Sequence, residues 1–184
     1  FLIDNGIDTK KFSPSVQKKL SIRNNLKINS NCTLLGMVAR YDPQKDHLNL
    51  LNAISKINNY NFKILLVGNG IDYKNKKLLY LINQFNLIDR IILYGQSSNI
   101  HEIMCGIDFL VLPSLYGEAF PNVIIEAMSV GTPCIVTDVG DSKRIIGNLG
   151  WTIPPNSPEE LRKTIISAIN VAKIQLLIMS ISMM

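Results

Sequence analysis

The sequence lacks several features that would narrow its function at once. Its three cysteines, Cys32, Cys105 and Cys134, are odd in number and widely spaced, with no CxxC pair and no Cys/His cluster. Neither a disulfide framework nor a metal site is indicated, and reduced core thiols in a cytosolic protein are expected. No G-x-G-x-x-G follows the first apolar run, which argues against a dinucleotide-dependent oxidoreductase. No clustered basic stripe is present. The excess of 19 Lys+Arg over 14 Asp+Glu leaves a net charge of +5, which favours anionic ligands or an anionic membrane surface and does not suit nucleic acid. There is no internal repeat and no low-complexity segment. The chain opens on Phe1 with no initiator Met and no basic n-region, so it does not begin as a signal peptide and reads like the middle of a longer chain.

At 184 residues and 47% hydrophobic the chain can bury the core of one domain. Apolar strand-like runs fall at Leu34–Val38, Phe62–Val67, Ile91–Leu93, Phe109–Leu112, Cys134–Thr137 and Trp151–Ile153. Amphipathic stretches separate them, at His47–Ile57, Tyr73–Phe85, Ile100–Met104, Asn122–Val130 and Pro158–Ile169, punctuated by Gly68-Asn-Gly70, Gly131-Thr-Pro133 and Pro154-Pro155. Such alternation predicts an α/β fold: one Rossmann-like, doubly wound, parallel six-stranded sheet in the order 3-2-1-4-5-6, with helices on both faces. The expected division is a lead-in and domain start at 1–30, a ligand-binding domain at 31–170 and an apolar tail at 171–184. From Ile165 onward Lys173 is the only charge. That segment is open to three readings: a packed last helix, a helix for a partner domain, or a membrane-contacting stretch.

Two glutamates, Glu118 and Glu126, bracket a run that follows the fourth strand. A turn containing Gly117 leads into a helix expected to start near Pro121 and Asn122, where Pro fits a first turn. The N–H groups of that turn, with the helix dipole, form an anion cradle. Two acids beside an anion cradle suit a ligand with both phosphate and hydroxyls, such as a sugar nucleotide. In the predicted strand order the first and fourth strands are neighbours, and ligands bind between their C-terminal ends. The loop after the first strand supplies Arg40, a bidentate phosphate fork, and Lys45, a mobile point charge. Cations on one rim would thus face carboxylates on the other.

These residues resemble the C-terminal domain of retaining glycosyltransferases of family 4, which have the two-domain GT-B fold. The likeness is carried by Asn5-Gly-Ile-Asp8 with Phe12 and Pro14, Gly36-Met-Val-Ala-Arg40 with Lys45, and Leu66-Val-Gly-Asn-Gly70. It continues through the E-x7-E spacing of Glu118 and Glu126, Gly131-Thr-Pro133, Thr137-Asp-Val-Gly-Asp141-Ser142, and Gly150-Trp151 with Pro154-Pro155. It runs from about Asn5 to Ile169.

The resemblance implies a UDP-, GDP- or ADP-sugar donor and no metal or other cofactor; no Asp-x-Asp motif is present to bind one. Arg40 and Lys45 would hold the diphosphate and stabilise the leaving group. Glu126 would accept from the ribose and Glu118 would contact the donor sugar. Backbone N–H groups of Ala119, Phe120 and Asn122 would touch the distal phosphate or the sugar, Pro121 and the glycine turn of Gly68 and Gly70 would line the site, and the base would lie on main chain near Gln96. The acceptor, a glycan or lipid-linked sugar, would be bound by an N-terminal domain, so this chain alone should transfer little or nothing. Cytoplasmic work in cell-envelope polysaccharide or lipopolysaccharide assembly, with peripheral contact at the inner face of the membrane left open, is the associated expectation. A non-catalytic nucleotide-sugar module and half of a sugar-nucleotide epimerase are the alternatives.

Each residue also has a plainer reading. Arg40 could pair with Asp42 or Asp46, Lys45 could be merely solvated, and Glu118 could stabilise a helix start. Gly68 and Gly70 could serve only the turn, and Tyr116 and Phe120 could flank the sugar or simply pack. Glu126 sits among core-type residues, where an unpaired charge is costly and a partner or ligand is expected. His47 reads as a helix-start polar residue and His101 as a surface one; neither is assigned chemistry.

Overall fold

The computed structural model describes residues 5–181, with only the backbone course given for 173 and 175–181. Six parallel strands form one sheet: β1 (Thr33–Val38), β2 (Phe62–Val67), β3 (Ile91–Gly95), β4 (Phe109–Leu112), β5 (Cys134–Thr137) and β6 (Trp151–Ile153). Their order is β3-β2-β1-β4-β5-β6, as the alternation of the sequence predicts. The strands are nearly continuous apolar runs because helices cover both faces of a parallel sheet. The helices are α1 (Val16–Asn25), α2 (His47–Ser55), α3 (Lys76–Gln84), α4 (Ile100–Gly106), α5 (Asn122–Ser129), α6 (Ser142–Ile146) and α7 (Pro158–Ile181).

Side chains alternate along β1 and divide the core in two. Leu35 and Met37 pack with Leu50, Leu51 and Ile54 of α2, Leu78 and Ile82 of α3, and Leu161, Ile165 and Ile169 of α7. Leu34 packs with Ile103 and Met104 of α4, Ile124 and Ala127 of α5, and Ile146 of α6. All three cysteines are free and buried, and burial raises each thiol, Cys134 to about 12. They are inert as nucleophiles at neutral pH.

Three elements differ from expectation, one of them the short helix α6 after β5, where none is predicted. The segment before β1 holds a full helix, α1, whose sequence VQKKLSIRNN has no apolar stripe. It forms because Ser15 caps it, accepting from Lys18 N–H at 3.3 Å, and because Ile22 and Arg23 alone face inward. The Arg23 guanidinium donates to the carbonyls of Asn29, Cys32 and Gly106 and to Asp108, so a buried charge is fully met. Helix α7 runs past Ile169 to Ile181; Ile165, Ala168 and Ile169 are in the core, while Val171 and Ile174 are exposed. Residues 182–184 of the apolar tail lie outside the described residues. Among the described residues no helix is long and apolar enough to cross a membrane.

Candidate functional site

Helix-covered parallel sheets bind ligands at the carboxyl edge where the strand order reverses. Here that point lies between β1 and β4, paired through Leu35–Phe109 and Gly36–Leu110. The β1 loop is built by local chemistry. Asp42 accepts from Gln44 N–H at 2.9 Å and starts a single 3-10 turn, Pro43–Lys45. Asp46 then adopts φ 50° and caps α2 by accepting from Asn49 N–H at 3.1 Å. The turn lifts Arg40 and Lys45 toward the β4 loop. Gly68 seats this loop from the β2 side: its φ is +149°, and a Cβ there would lie 2.1 Å from the Ala39 carbonyl oxygen. Tyr41 N–H donates to the Asn69 carbonyl at 2.8 Å, and Gly70, at φ +73°, passes close under Tyr41. Both glycines therefore hold the cation-bearing backbone in place.

The β4 loop is fixed from its other side. Thr137 donates to the Ser114 carbonyl at 2.6 Å, and Ser114 donates to Glu118 Oε1 at 2.5 Å. Gly140, at φ +56°, presses on the Glu118 carbonyl so closely that a Cβ would lie 1.7 Å from it, and Asp141 N–H donates to the Ala119 carbonyl at 3.1 Å.

Across the crevice the two loops meet. Lys45 Nζ pairs directly with Glu118 Oε1, with only 13% and 6% of the two side chains exposed. Gln44 ties the rims a second time: its amide donates to the Gly117 carbonyl at 2.8 Å, and its main-chain carbonyl accepts from Leu115 N–H at 2.8 Å. The same side chain accepts from Arg40 at 2.9 Å. Arg40 also pairs with Asp42 at 3.1 Å and is 56% exposed; of its plainer readings, the Asp42 pairing is present. The Gln44 N–H and then the Arg40 guanidinium hold the Asp42 carboxyl below its usual range.

Glu126 lies apart from this cluster, half-buried on α5. Burial raises its carboxyl above the ordinary value, with Lys11 the cation opposing the shift. The lead-in segment runs past the same helix, and Asn5 donates to the Asn122 side chain at 2.9 Å. Pro121 precedes the first turn of α5, Asn122 opens it, and Ala119 is exposed beside it. Phe120 is half-buried under the Arg144 guanidinium, 5.7 Å from the ring centre, and Tyr116 is exposed. Gln96 is exposed just after β3. The structure thus brings Arg40, Lys45 and Glu118 together, with Ala119 to Asn122 adjoining, and leaves Gln96 and Glu126 on other elements. Gln44 and Ser114 were not singled out by sequence, and Thr137 entered only as a strand end and the first residue of a family-like run; the only signal for Ser114 was a small polar residue just after an apolar strand.

Both histidines are buried, at 4% and 9% exposure, which corrects the surface reading of His101. His47 packs 5.2 Å from the Tyr41 ring, and burial pushes its imidazole down to about 4. A cleft of about 760 Å³ lies at the opposite end of the sheet, between α1, the start of β1 and the Val171–Ala172 stretch of α7. Its charged groups, Lys19, Arg23 and Asp108, already satisfy one another.

A doubly wound sheet with cations and an acid converging at its switch point defines a Rossmann-like domain, the architecture of one half of a GT-B glycosyltransferase. The family profile "Glycosyl transferases group 1" matches residues 18–175, and the chain belongs to that family. It is 33% identical over 151 residues to the UDP-Gal:alpha-D-GlcNAc-diphosphoundecaprenol alpha-1,3-galactosyltransferase of Escherichia coli, covering 80% of this chain and 38% of that one. Among solved structures it is similar to Anabaena Alr3699/HepE in complex with UDP and glucose, at TM-score 0.83 and 25% identity over 92% of this chain and 47% of that one. The C-terminal domain of the glycosyl transferase group 1 protein LpcC from Francisella tularensis shares the fold at TM-score 0.75 and 22% identity, with 91% and 90% of the two chains covered. The chain therefore spans well under half the length of the curated relatives it matches.

Proposed function

We propose that this chain is the donor-binding domain of a retaining glycosyltransferase that moves a sugar from a nucleoside diphosphate-sugar to an acceptor hydroxyl. The observation that carries the reading is the meeting of Arg40 and Lys45 from the β1 rim with Glu118 from the β4 rim, beside the N–H groups that open α5. The Arg40 fork and the Lys45 ammonium grip the diphosphate. An ammonium has three donors, so Lys45 can keep Glu118 while reaching a phosphate oxygen. As the bond from the anomeric carbon to the phosphate oxygen breaks, these two cations take the charge on the leaving diphosphate, a role that a metal ion fills elsewhere. Glu118 accepts from donor sugar hydroxyls, Glu126 from the ribose, and the base lies on main chain near Gln96. The acceptor hydroxyl attacks on the face the diphosphate leaves and gives its proton to the departing phosphate oxygen, so the configuration is retained.

UDP bound to one structural neighbour and the UDP-galactose named for one relative support a uridine nucleotide as the first donor to test. The lipid-linked acceptor of that relative supports work on the cell envelope at the inner face of the cytoplasmic membrane. Acceptor binding falls to a further domain, and the isolated chain binds donor but transfers little. A thermal-shift panel of UDP-, GDP- and ADP-sugars tests the reading. A matching donor at a hundredfold excess over its Kd adds about 2.7 kcal/mol. Arg40→Ala or Glu126→Ala should abolish the shift and leave the fold intact; a shift that survives both contradicts the assignment.

A further inference from the structure

We propose that a second cleft, of about 610 Å³ between the lead-in segment and α4, binds a phosphate-bearing ligand through Lys10, Lys11 and Lys18. Its built feature is His101. Only 9% of that residue is exposed, and its Nε2 lies 2.7 Å from the Ser13 carbonyl oxygen. A carbonyl can only accept, so Nε2 carries the hydrogen, and Nδ1 of the neutral ring is the acceptor. Nδ1 lies 2.7 Å from Lys18 Nζ, which donates to it. The ammonium is thus held in place by an uncharged partner, and its charge stays uncompensated.

Four other lysines are held by acids, Lys19 by Asp108, Lys45 by Glu118, Lys143 by Asp138 and Lys163 by Glu160. Lys27, Lys56, Lys74, Lys76 and Lys77 also stand without a salt bridge among the described residues, and what sets Lys10, Lys11 and Lys18 apart is that they line one cleft. Among the described residues no carboxylate pairs with Lys10, Lys11 or Lys18, and Glu102 is the one acid that lines the cleft. Three ammonium groups against one carboxylate match a phosphate dianion or a diphosphate, where a carboxylate ligand would answer only one of them. The cleft shares no residue with the Arg40–Lys45–Glu118 crevice, yet Lys11 acts on Glu126. A ligand held there would sit at the same end of the sheet as the crevice, on the α1–α4 side.

Inorganic pyrophosphate is the probe, titrated into the ¹⁵N-labelled chain and followed amide by amide. Saturable shifts are expected at residues 10–18 and 98–102. They should weaken at least tenfold in the Lys10→Gln/Lys11→Gln/Lys18→Gln variant and survive in Arg40→Ala, which disables only the other crevice. Dispersed spectra of both variants confirm folding, since all three lysines are exposed. Shifts confined to residues 40–46 and 117–122, or undiminished in the triple variant, overturn the proposal. Sedimentation with phosphatidylglycerol against phosphatidylcholine vesicles separates the sources. Lysine-dependent binding to the anionic vesicles alone assigns a lipid headgroup, and pyrophosphate binding without vesicle binding assigns a soluble phosphate ester.

Discussion

Glu118 and Glu126 stand eight positions apart, and the protein treats them in opposite ways. Glu118 is nearly inaccessible and fully answered: Lys45 pairs with it, Ser114 donates to it, and Gly140 fixes its backbone. Glu126 is half-buried on a regular helix, and its carboxyl is raised by desolvation, with the ammonium of Lys11 as counterweight. One acid is part of the scaffold before any ligand arrives. The other keeps its acceptor capacity. A carboxylate left unsatisfied at some cost to the fold is a sign of function, whereas a satisfied one serves architecture as well.

That contrast makes a graded set of predictions. The largest effect belongs to Lys45→Ala, which leaves Glu118 buried without its cation. A loss of about 3–5 kcal/mol in urea unfolding is expected, and an unchanged midpoint would mean that the pair contributes nothing to the fold. Ser114→Ala removes one hydrogen bond to the same charged group and should cost about 1.5–3 kcal/mol. If it costs more than Lys45→Ala, the ranking of Glu118's partners is wrong.

Glu126→Gln should do the reverse and leave stability at neutral pH equal or higher, while weakening donor binding. Its pH profile sharpens the point. A carboxyl raised in the folded state holds its proton more tightly there, so its contribution to stability is full below the ordinary value of 4.5 and is lost as pH rises through the raised value. The advantage of wild type over Glu126→Gln should therefore shrink across that interval; a gap that widens would contradict the assigned environment. Gln44→Ala has the smallest effect on stability, below about 1 kcal/mol, because its bonds are largely exposed. Its expected signature is weaker donor binding through a freed Arg40, read by calorimetry.

The sheet was legible because each strand is a short apolar run bounded by turn residues, and the strand order followed from the parallel crossovers. Helix α1 was not legible: only Ile22 supplies apolar burial, and the rest of its anchoring is polar, from Arg23 to the carbonyls of Asn29, Cys32 and Gly106, Lys18 to His101 and Lys19 to Asp108. The Arg40, Lys45 and Glu118 rims could be placed by topology alone. Their supports could not. Gln44, Ser114 and Thr137 act through hydrogen bonds between residues distant in sequence, which no local pattern records. His101 was misread for the same reason, since its burial depends on the lead-in segment folding over it.

The most direct test of the central claim is a crystal structure of this chain with a bound nucleoside diphosphate-sugar. The diphosphate should lie between the Arg40 guanidinium and the N–H groups of Ala119, Phe120 and Asn122, with Lys45 within reach of a phosphate oxygen and Glu126 on the ribose. A nucleotide seated away from the β1–β4 crevice, with Lys45 and Glu118 untouched, would contradict it.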